Sequence, residues 1–274
     1  MTITQNEKAA RFRALHEAPG AFVIPNPWDA GSARILAGLG FQALATSSGA
    51  QAGTFGRRDG KVTRDEALAH CRGIVEATDL PVSADLEKCF AAAPREAAET
   101  IRLAASVGLV GGSIEDATGD KQKPLFDLGL ATERVAAAVA VARGLSFPFT
   151  LTARTENFLR GNSSLDDTIK RLQAFEQAGA DVLMAPGLPD LAAVRAVCSA
   201  VSKPVNFMVG IRGKSFTVAE LTAAGVKRIS LATSLYRSAM GGLIDAAREV
   251  KDKGTFGYVE GGVSTPDLAA YMQG

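Results

Sequence analysis

Short runs rich in Val, Ile, Phe and Leu recur along the whole chain. Each is followed by a longer Ala-rich stretch with apolar residues at helical spacing, and this alternation restricts the fold more than any other feature. It is the pattern of repeated βα units around a parallel sheet. Candidate strands cover 21–25, 42–46, 81–85, 110–115, 149–153, 181–185, 204–209 and 228–232. Eight strands interleaved with helices make up an α/β fold of the (β/α)₈ TIM-barrel type, and 274 residues fit its usual size of about 250.

Several helical stretches end in a glycine that leads directly into the next strand: LAGLGFQAL, LAASVGLVGGSI, FEQAGADVLMA and LTAAGVKRISLA. Glycine there adopts the left-handed conformation that ends a helix at little cost, so the recurrence predicts internal αβ repetition. With 47% hydrophobic residues and no low-complexity linker, 1–274 is expected to form a single barrel domain. Residues 1–17 read as an extra helix covering one barrel end. A helix at 236–251 and a Gly-rich tail with a last helical piece from Pro266 exceed what barrel closure needs, so the tail is expected to dock elsewhere or on a second subunit.

Net charge is +1 with both signs interspersed, which gives no footprint for nucleic acid or an anionic membrane. The first residues lack a secretory pattern and no apolar run spans a bilayer, so a cytoplasmic protein acting on a small molecule is expected. Cys71, Cys89 and Cys198 are too widely spaced for a disulfide framework or zinc knuckle, and His16 and His70 read as structural or solvated. GKS at Gly213-Lys214-Ser215 resembles the end of a phosphate loop, but Met208 occupies the place of its first glycine.

In such barrels the reactive groups sit at the C-terminal strand ends. Those ends carry Asn26 and Trp28, Ser47-Ser48-Gly49, Asp85 and Glu87, Glu115 and Asp116, Arg154 and Glu156, and Asn206; the strand starts are bland. Two residues apart on an extended backbone, Asp85 and Glu87 point to the same side. With Glu115 they are too much negative charge for a partly buried site without a cation, and oxygen-only ligation favours Mg²⁺, or Mn²⁺, over zinc. The plainer reading makes Glu87 and Asp116 solvated loop residues or helix caps. Arg154 fits a carboxylate through two parallel hydrogen bonds, or else a structural ion pair with Glu156 or Glu115. Cys89 has no neighbouring His and reads as a packed or loop thiol.

VSADLE, GGSIEDAT, TLTARTENF and the Ser48-Gly49 turn, in this order on successive strands, resemble the isocitrate lyase and phosphoenolpyruvate mutase superfamily over nearly the whole chain. The resemblance implies a barrel whose eighth helix is exchanged between subunits of a homodimer or homotetramer. It also implies Mg²⁺ and a small 2-oxo or 2-hydroxy carboxylate at the mouth. Carried over by motif, Asp85 is the direct metal ligand, with Glu87, Glu115 and Asp59 holding metal-bound waters, and Ser48, Gly49 and Arg154 hold the substrate's carboxylate and oxo groups. The candidate site thus comprises Asp59, Glu115 and Arg154 as catalytic groups. Substrate binding falls to Thr46, Ser48, Gly49, Asp85, Arg154 and Asn206, and metal binding to Asp85, Glu87 and Glu115.

Three departures bear on specificity. The loop EDATGDKQKPLFDLGL lacks the Lys-Lys/Arg-Cys-Gly-His motif of lyases that cleave isocitrate or methylisocitrate, whose cysteine is the proton donor. Thr46 replaces a usual aromatic, and Met184 stands where phosphonate-forming members often carry His. Asp-x-Glu at Asp85 and Glu87 leans toward lyases. The expectation is a Mg²⁺-dependent carbon-carbon lyase acting on a small 2-hydroxy or 2-oxo dicarboxylate through a metal-stabilised enolate, like methylisocitrate or dimethylmalate lyase or an oxaloacetate decarboxylase. The alternatives are a phosphonopyruvate mutase or hydrolase, and a non-catalytic 2-oxo acid binding protein. Lys121 or Lys123 could cover the site on loop closure, the plainer reading being solvated loop charge.

Overall fold

The computed structural model describes residues 3–272. Helix α1 (Gln5–Glu17) precedes β1 (Phe22–Ile24), α2 (Ala30–Gly38), β2 (Leu44–Ala45), α3 (Ser48–Thr54), α4 (Arg64–Glu76) and β3 (Val82–Ala84). Then come α5 (Pro94–Ser106), β4 (Gly111–Glu115), α6 (Leu128–Arg143), β5 (Thr150–Arg154), α7 (Leu165–Gln177), β6 (Val182–Met184) and α8 (Leu191–Ala200). The chain continues through β7 (Val205–Met208), α9 (Val218–Ala223), β8 (Arg228–Ser230), α10 (Ser234–Lys253) and α11 (Thr265–Tyr271). Each predicted strand overlaps an observed one.

The strands are parallel and neighbour one another in the order β1-β8-β7-β6-β5-β4-β3-β2, a nearly closed (β/α)₈ barrel. Between β1 and β2 the backbone N–H of Ala45 donates to Pro25 at 3.0 Å. Asn26 straps the same seam: its Nδ2 donates to the Thr46 carbonyl (2.8 Å) while its Oδ1 accepts from the Leu231 N–H (2.9 Å). This buried amide is therefore occupied in closing the barrel.

The glycines between helix and strand do two jobs. Gly108 and Gly225 have φ of +95°, and a Cβ there would lie 2.7 Å from Val75 and 2.9 Å from Cys198, each on the preceding barrel helix. Only glycine allows the left-handed turn and that close helix contact together. The main core lies between strands and helices, with Leu44, Ile74, Ile101, Ile114, Leu151, Leu172, Phe175 and Val194 buried in it.

The N-terminal end of the barrel is plugged by α1. Its Ala9 and Phe12 join Ile24, Ala43 and Val110 in a separate apolar cluster, and a Cβ on Gly111 would meet the Phe12 ring at 2.9 Å. His16 packs edge-on against Phe12 and Phe22, and burial, followed by the charge of Arg228, pushes its pKa down to about 3. Above this plug, Arg228 donates from Nε to Asn206 Oδ1 (2.8 Å) and from Nη2 to Thr152 (2.9 Å), and Asn206 Nδ2 donates to Ser230 (3.0 Å).

The last helices behave differently. α10 is 20 residues long and buries none of them, leaving Leu243, Ile244 and Val250 exposed. α11 lies on α2, with the Tyr271 ring against Gly38 and Arg34 Nη1 donating to the Met272 carbonyl at 2.8 Å. Among the described residues no helix is long and apolar enough to cross a membrane.

Candidate active site

At the opposite end of the barrel, Asp85 follows the last residue of β3. Its N–H donates to Thr46 Oγ1 (3.1 Å), which anchors the end of β3 to the end of β2. One carboxylate oxygen, Oδ2, accepts from the N–H (3.2 Å) and hydroxyl (3.0 Å) of Ser48; the other, Oδ1, accepts from the Glu87 N–H (3.2 Å). Asp85 is thus fixed from two sides. Thr46 acts here by holding the backbone of Asp85, and Ser48 by orienting its carboxylate.

The extended geometry expected through Glu87 stops at Ala84. Glu87, Cys89 and Phe90 have φ of +50°, +56° and +57°, left-handed values that cost on the order of 1–3 kcal/mol each in non-glycine residues. The turn aims Glu87 toward the loop after α3, where a Cβ on Gly60 would be 3.8 Å from its carboxylate. Burial, then the charges of Asp85 and Asp59, push the Glu87 pKa up to about 7. Asp59 is exposed, and its carboxylate lies beside Gly49, 3.5 Å from where a Cβ would sit.

Glu115 ends β4 and pairs in register with Arg154 on β5. The Arg154 Nε is 3.6 Å from Glu115 and hydrogen-bonds Glu156, which is 1% exposed. Burial works against the Arg154 charge, but Glu156, Glu115 and Asp85 outweigh it and hold the guanidinium protonated far above its ordinary range. Burial raises the Glu115 pKa well above normal, Arg154 opposing and Glu156, Asp85 and Glu87 adding to the rise. Arg160, at the rim, reaches Glu156 at 3.3 Å and Glu115 at 4.0 Å. Among the described residues no group accepts a hydrogen bond from the two terminal nitrogens of Arg154, and Arg154 lines the cavity below the mouth together with Asp85, Ser113, Met184 and Ser230.

Other candidates sit elsewhere. Asn206 is deeper, with both ends of its amide bonded inside the barrel. Asp116 is neither solvated nor a helix cap: it accepts from the Glu156 N–H (2.8 Å), Thr155 (2.9 Å) and Arg171 (3.1 Å), a buried network beneath Glu156. Lys123 pairs with Asp127 at 2.7 Å and Lys121 is exposed, while Lys88 holds the same loop by donating to the Thr118 carbonyl at 2.6 Å. Lys214 of the GKS stretch donates to the Gly187 carbonyl, and His70 bonds the Trp28 carbonyl. Burial raises the Cys71 and Cys89 thiols to about 12.

Sequence reasoning assigned nothing to Arg160 or to the buried Arg228. The signal for Arg228 was its parity: in Arg-Ile-Ser on β8 it faces the same side as Ser230, away from the apolar Ile229.

The donor set at the mouth is chemically suited to a hard divalent cation. Asp59, Asp85, Glu87 and Glu115 supply only oxygen, Arg154 bonds Glu156 through Nε, and burial, with the neighbouring carboxylates adding, raises the pKa values of Glu87 and Glu115. Among the described residues no three His, Cys, Asp or Glu side chains come together closely enough to hold a metal ion by themselves.

The chain is similar to several known proteins. A family model described as phosphoenolpyruvate phosphomutase matches residues 12–251. The crystal structure of a provisionally described lyase/mutase from Burkholderia cenocepacia J2315 is 52% identical, with a TM-score of 0.96 over 97% of this chain and 96% of that one. A 2,3-dimethylmalate lyase structure is 25% identical, with a TM-score of 0.86 over 97% and 95% of the two chains. The 2-methylisocitrate lyase of Escherichia coli (strain K12) is 29% identical over 237 residues, 83% of this chain and 79% of the relative.

Proposed function

The chain belongs to the phosphoenolpyruvate phosphomutase family, and from that premise we propose that it is a Mg²⁺-dependent carbon-carbon lyase. Its substrate is a small 2-hydroxy or 2-oxo dicarboxylate, and a product is pyruvate or a related 2-oxo acid. The observation that carries this reading is the gathering of the Asp85, Glu87 and Glu115 carboxylates near an arginine whose terminal nitrogens bond no group among the described residues. The 2-methylisocitrate and 2,3-dimethylmalate lyases among its relatives favour cleavage of a carbon-carbon bond.

In this reading Asp85 is the direct ligand of the cation, while Glu87, Glu115 and Asp59 hold its waters. A bound divalent cation supplies Lewis-acid stabilisation of the charge that develops on the 2-oxo oxygen. Arg154 clamps the adjacent carboxylate with the two nitrogens left open by its Nε bond to Glu156. The Gly49 N–H takes up the oxo group, while Ser48 and Thr46 fix the geometry through Asp85. Asn206 supports the cavity floor with Arg228. The unburied α10 favours exchange of this helix between subunits of a cytoplasmic homodimer or homotetramer.

A phosphorus-carbon reaction is the second reading, favoured by the family model's own description. Met184 weighs against it, because an apolar thioether lines the cavity where such chemistry would gain from a polar group. The test is a panel of malate-like, citrate-like and phosphonate substrates with Mg²⁺, following pyruvate release before and after EDTA. Pyruvate release from a dicarboxylate that stops with EDTA is expected. Release that survives complete metal removal would contradict the mechanism, and saturable binding of 2-oxo acids without turnover of any substrate would favour a non-catalytic binding protein.

A further inference from the structure

The turn after Asp85 is held in place from outside. The Glu87 carbonyl accepts from the Glu115 N–H at 3.0 Å. The Cys89 carbonyl accepts from Thr100 Oγ1 on α5 at 2.9 Å. The carbonyls of Lys88 and Ala91 both accept from Arg134 Nη2 on α6, the latter at 3.0 Å. Three left-handed residues without a glycine would relax if these carbonyls were released.

Arg134 is unusual for what it lacks. It is 1% exposed, makes no ion pair among the described residues, and leaves Nε and Nη1 without hydrogen-bond partners. Its guanidinium stacks over Phe126 at 4.2 Å. A buried guanidinium without a carboxylate is a costly way to fill space, and an apolar side chain would serve a purely packing role better. What an arginine offers here is a long side chain whose terminal Nη2 reaches two carbonyls of one turn.

We infer that Arg134, assisted by Thr100, is a positioning residue for the cation site. By clamping the Glu87–Ala91 backbone it keeps Glu87 aimed at the mouth and Asp85 within reach of the Glu87 N–H. The inference rests on the divalent-cation reading of the Asp85 cluster. Neither side chain touches the cation or the substrate.

The test is Mn²⁺ alone, titrated into the full-length protein and followed by the EPR signal of the free ion, with thermal melts alongside. In Arg134→Met, Mn²⁺ affinity is expected to fall about 10- to 100-fold, with Arg134→Lys intermediate because an ammonium can still donate to these carbonyls from a more flexible side chain. Thr100→Val, nearly isosteric, is expected to lower affinity several-fold with little change in melting temperature; if Arg134→Met does not fold, this variant decides. A role in packing alone would lower the melting temperature of Arg134→Met and leave Mn²⁺ affinity within twofold of wild type in both variants, which overturns the inference. Absence of Mn²⁺ binding by the wild type overturns the cation reading, and this inference with it.

Discussion

The two ends of the barrel are built from the same eight strands and share almost nothing else. At the foot, Phe12, Ile24, Ala43 and Val110 are fully buried in an apolar cluster, and His16, packed against Phe12, has its pKa pushed down to about 3. At the mouth, Asp59, Asp85, Glu87, Glu115 and Glu156 crowd around Arg154 and Arg160, and a backbone turn is held in left-handed conformations. The foot is arranged for stability and the mouth against it, so changes at the two ends should separate folding from function.

The largest effect is expected from Asp85→Ala. Turnover should fall on the order of 10³-fold or more, as for loss of a group central to charge stabilisation. The melting temperature in EDTA should stay level or rise, because one carboxylate has left a crowded cluster. A large loss of stability in EDTA would mean that the mouth, too, is a folding element.

Phe12→Ala should do the reverse. Truncating this fully buried ring costs about 3–5 kcal/mol, read by urea unfolding, with Mg²⁺ affinity unchanged because the foot lies at the other end of the strands. A parallel loss of affinity would show the ends to be coupled.

Metal removal acts on the mouth alone. At a Mg²⁺ concentration 100 times its Kd, EDTA should remove about 2.7 kcal/mol of apparent stability, seen as a lower melting temperature. The shift should be absent in Asp85→Ala and present in full in Phe12→Ala.

His16 supplies the last test, and it concerns the foot. Its folded pKa is pushed from 6.5 to about 3, so the unfolded chain takes up the proton first as pH falls. The contribution to stability is therefore complete above pH 6.5 and is lost below it, at about 1.4 kcal/mol per pH unit, until the folded pKa is reached. The stability difference between wild type and His16→Phe should change with that slope between pH 6 and 4. A pH-independent difference would show that His16 is not held neutral.

Much of the fold was legible because apolar strands and helix-ending glycines are local signals. Gly108 and Gly225 stand where a left-handed turn and a close helix contact coincide. The order of Ser48, Asp85, Glu115 and Arg154 along successive strand ends was readable for the same reason. The Glu87 turn was not, since DLEKCF contains no glycine to announce left-handed backbone, and its conformation depends on Arg134 and Thr100, from helices further along the chain. The Arg228–Asn206–Thr152 contact joins three strands: the parity of Arg228 on β8 marks its side of the sheet, but its partners appear only in three dimensions. The helical pattern of α10 is the same whether its apolar residues meet this barrel or another, and so its exposure appears only in three dimensions.

On the proposed reading, one divalent cation held by Asp85 completes the mouth. Equilibrium dialysis can count the Mn²⁺ equivalents bound per chain. One equivalent is expected in the wild type and none in Asp85→Ala, both proteins being folded. No bound Mn²⁺ in the wild type, or an undiminished equivalent in Asp85→Ala, would contradict it.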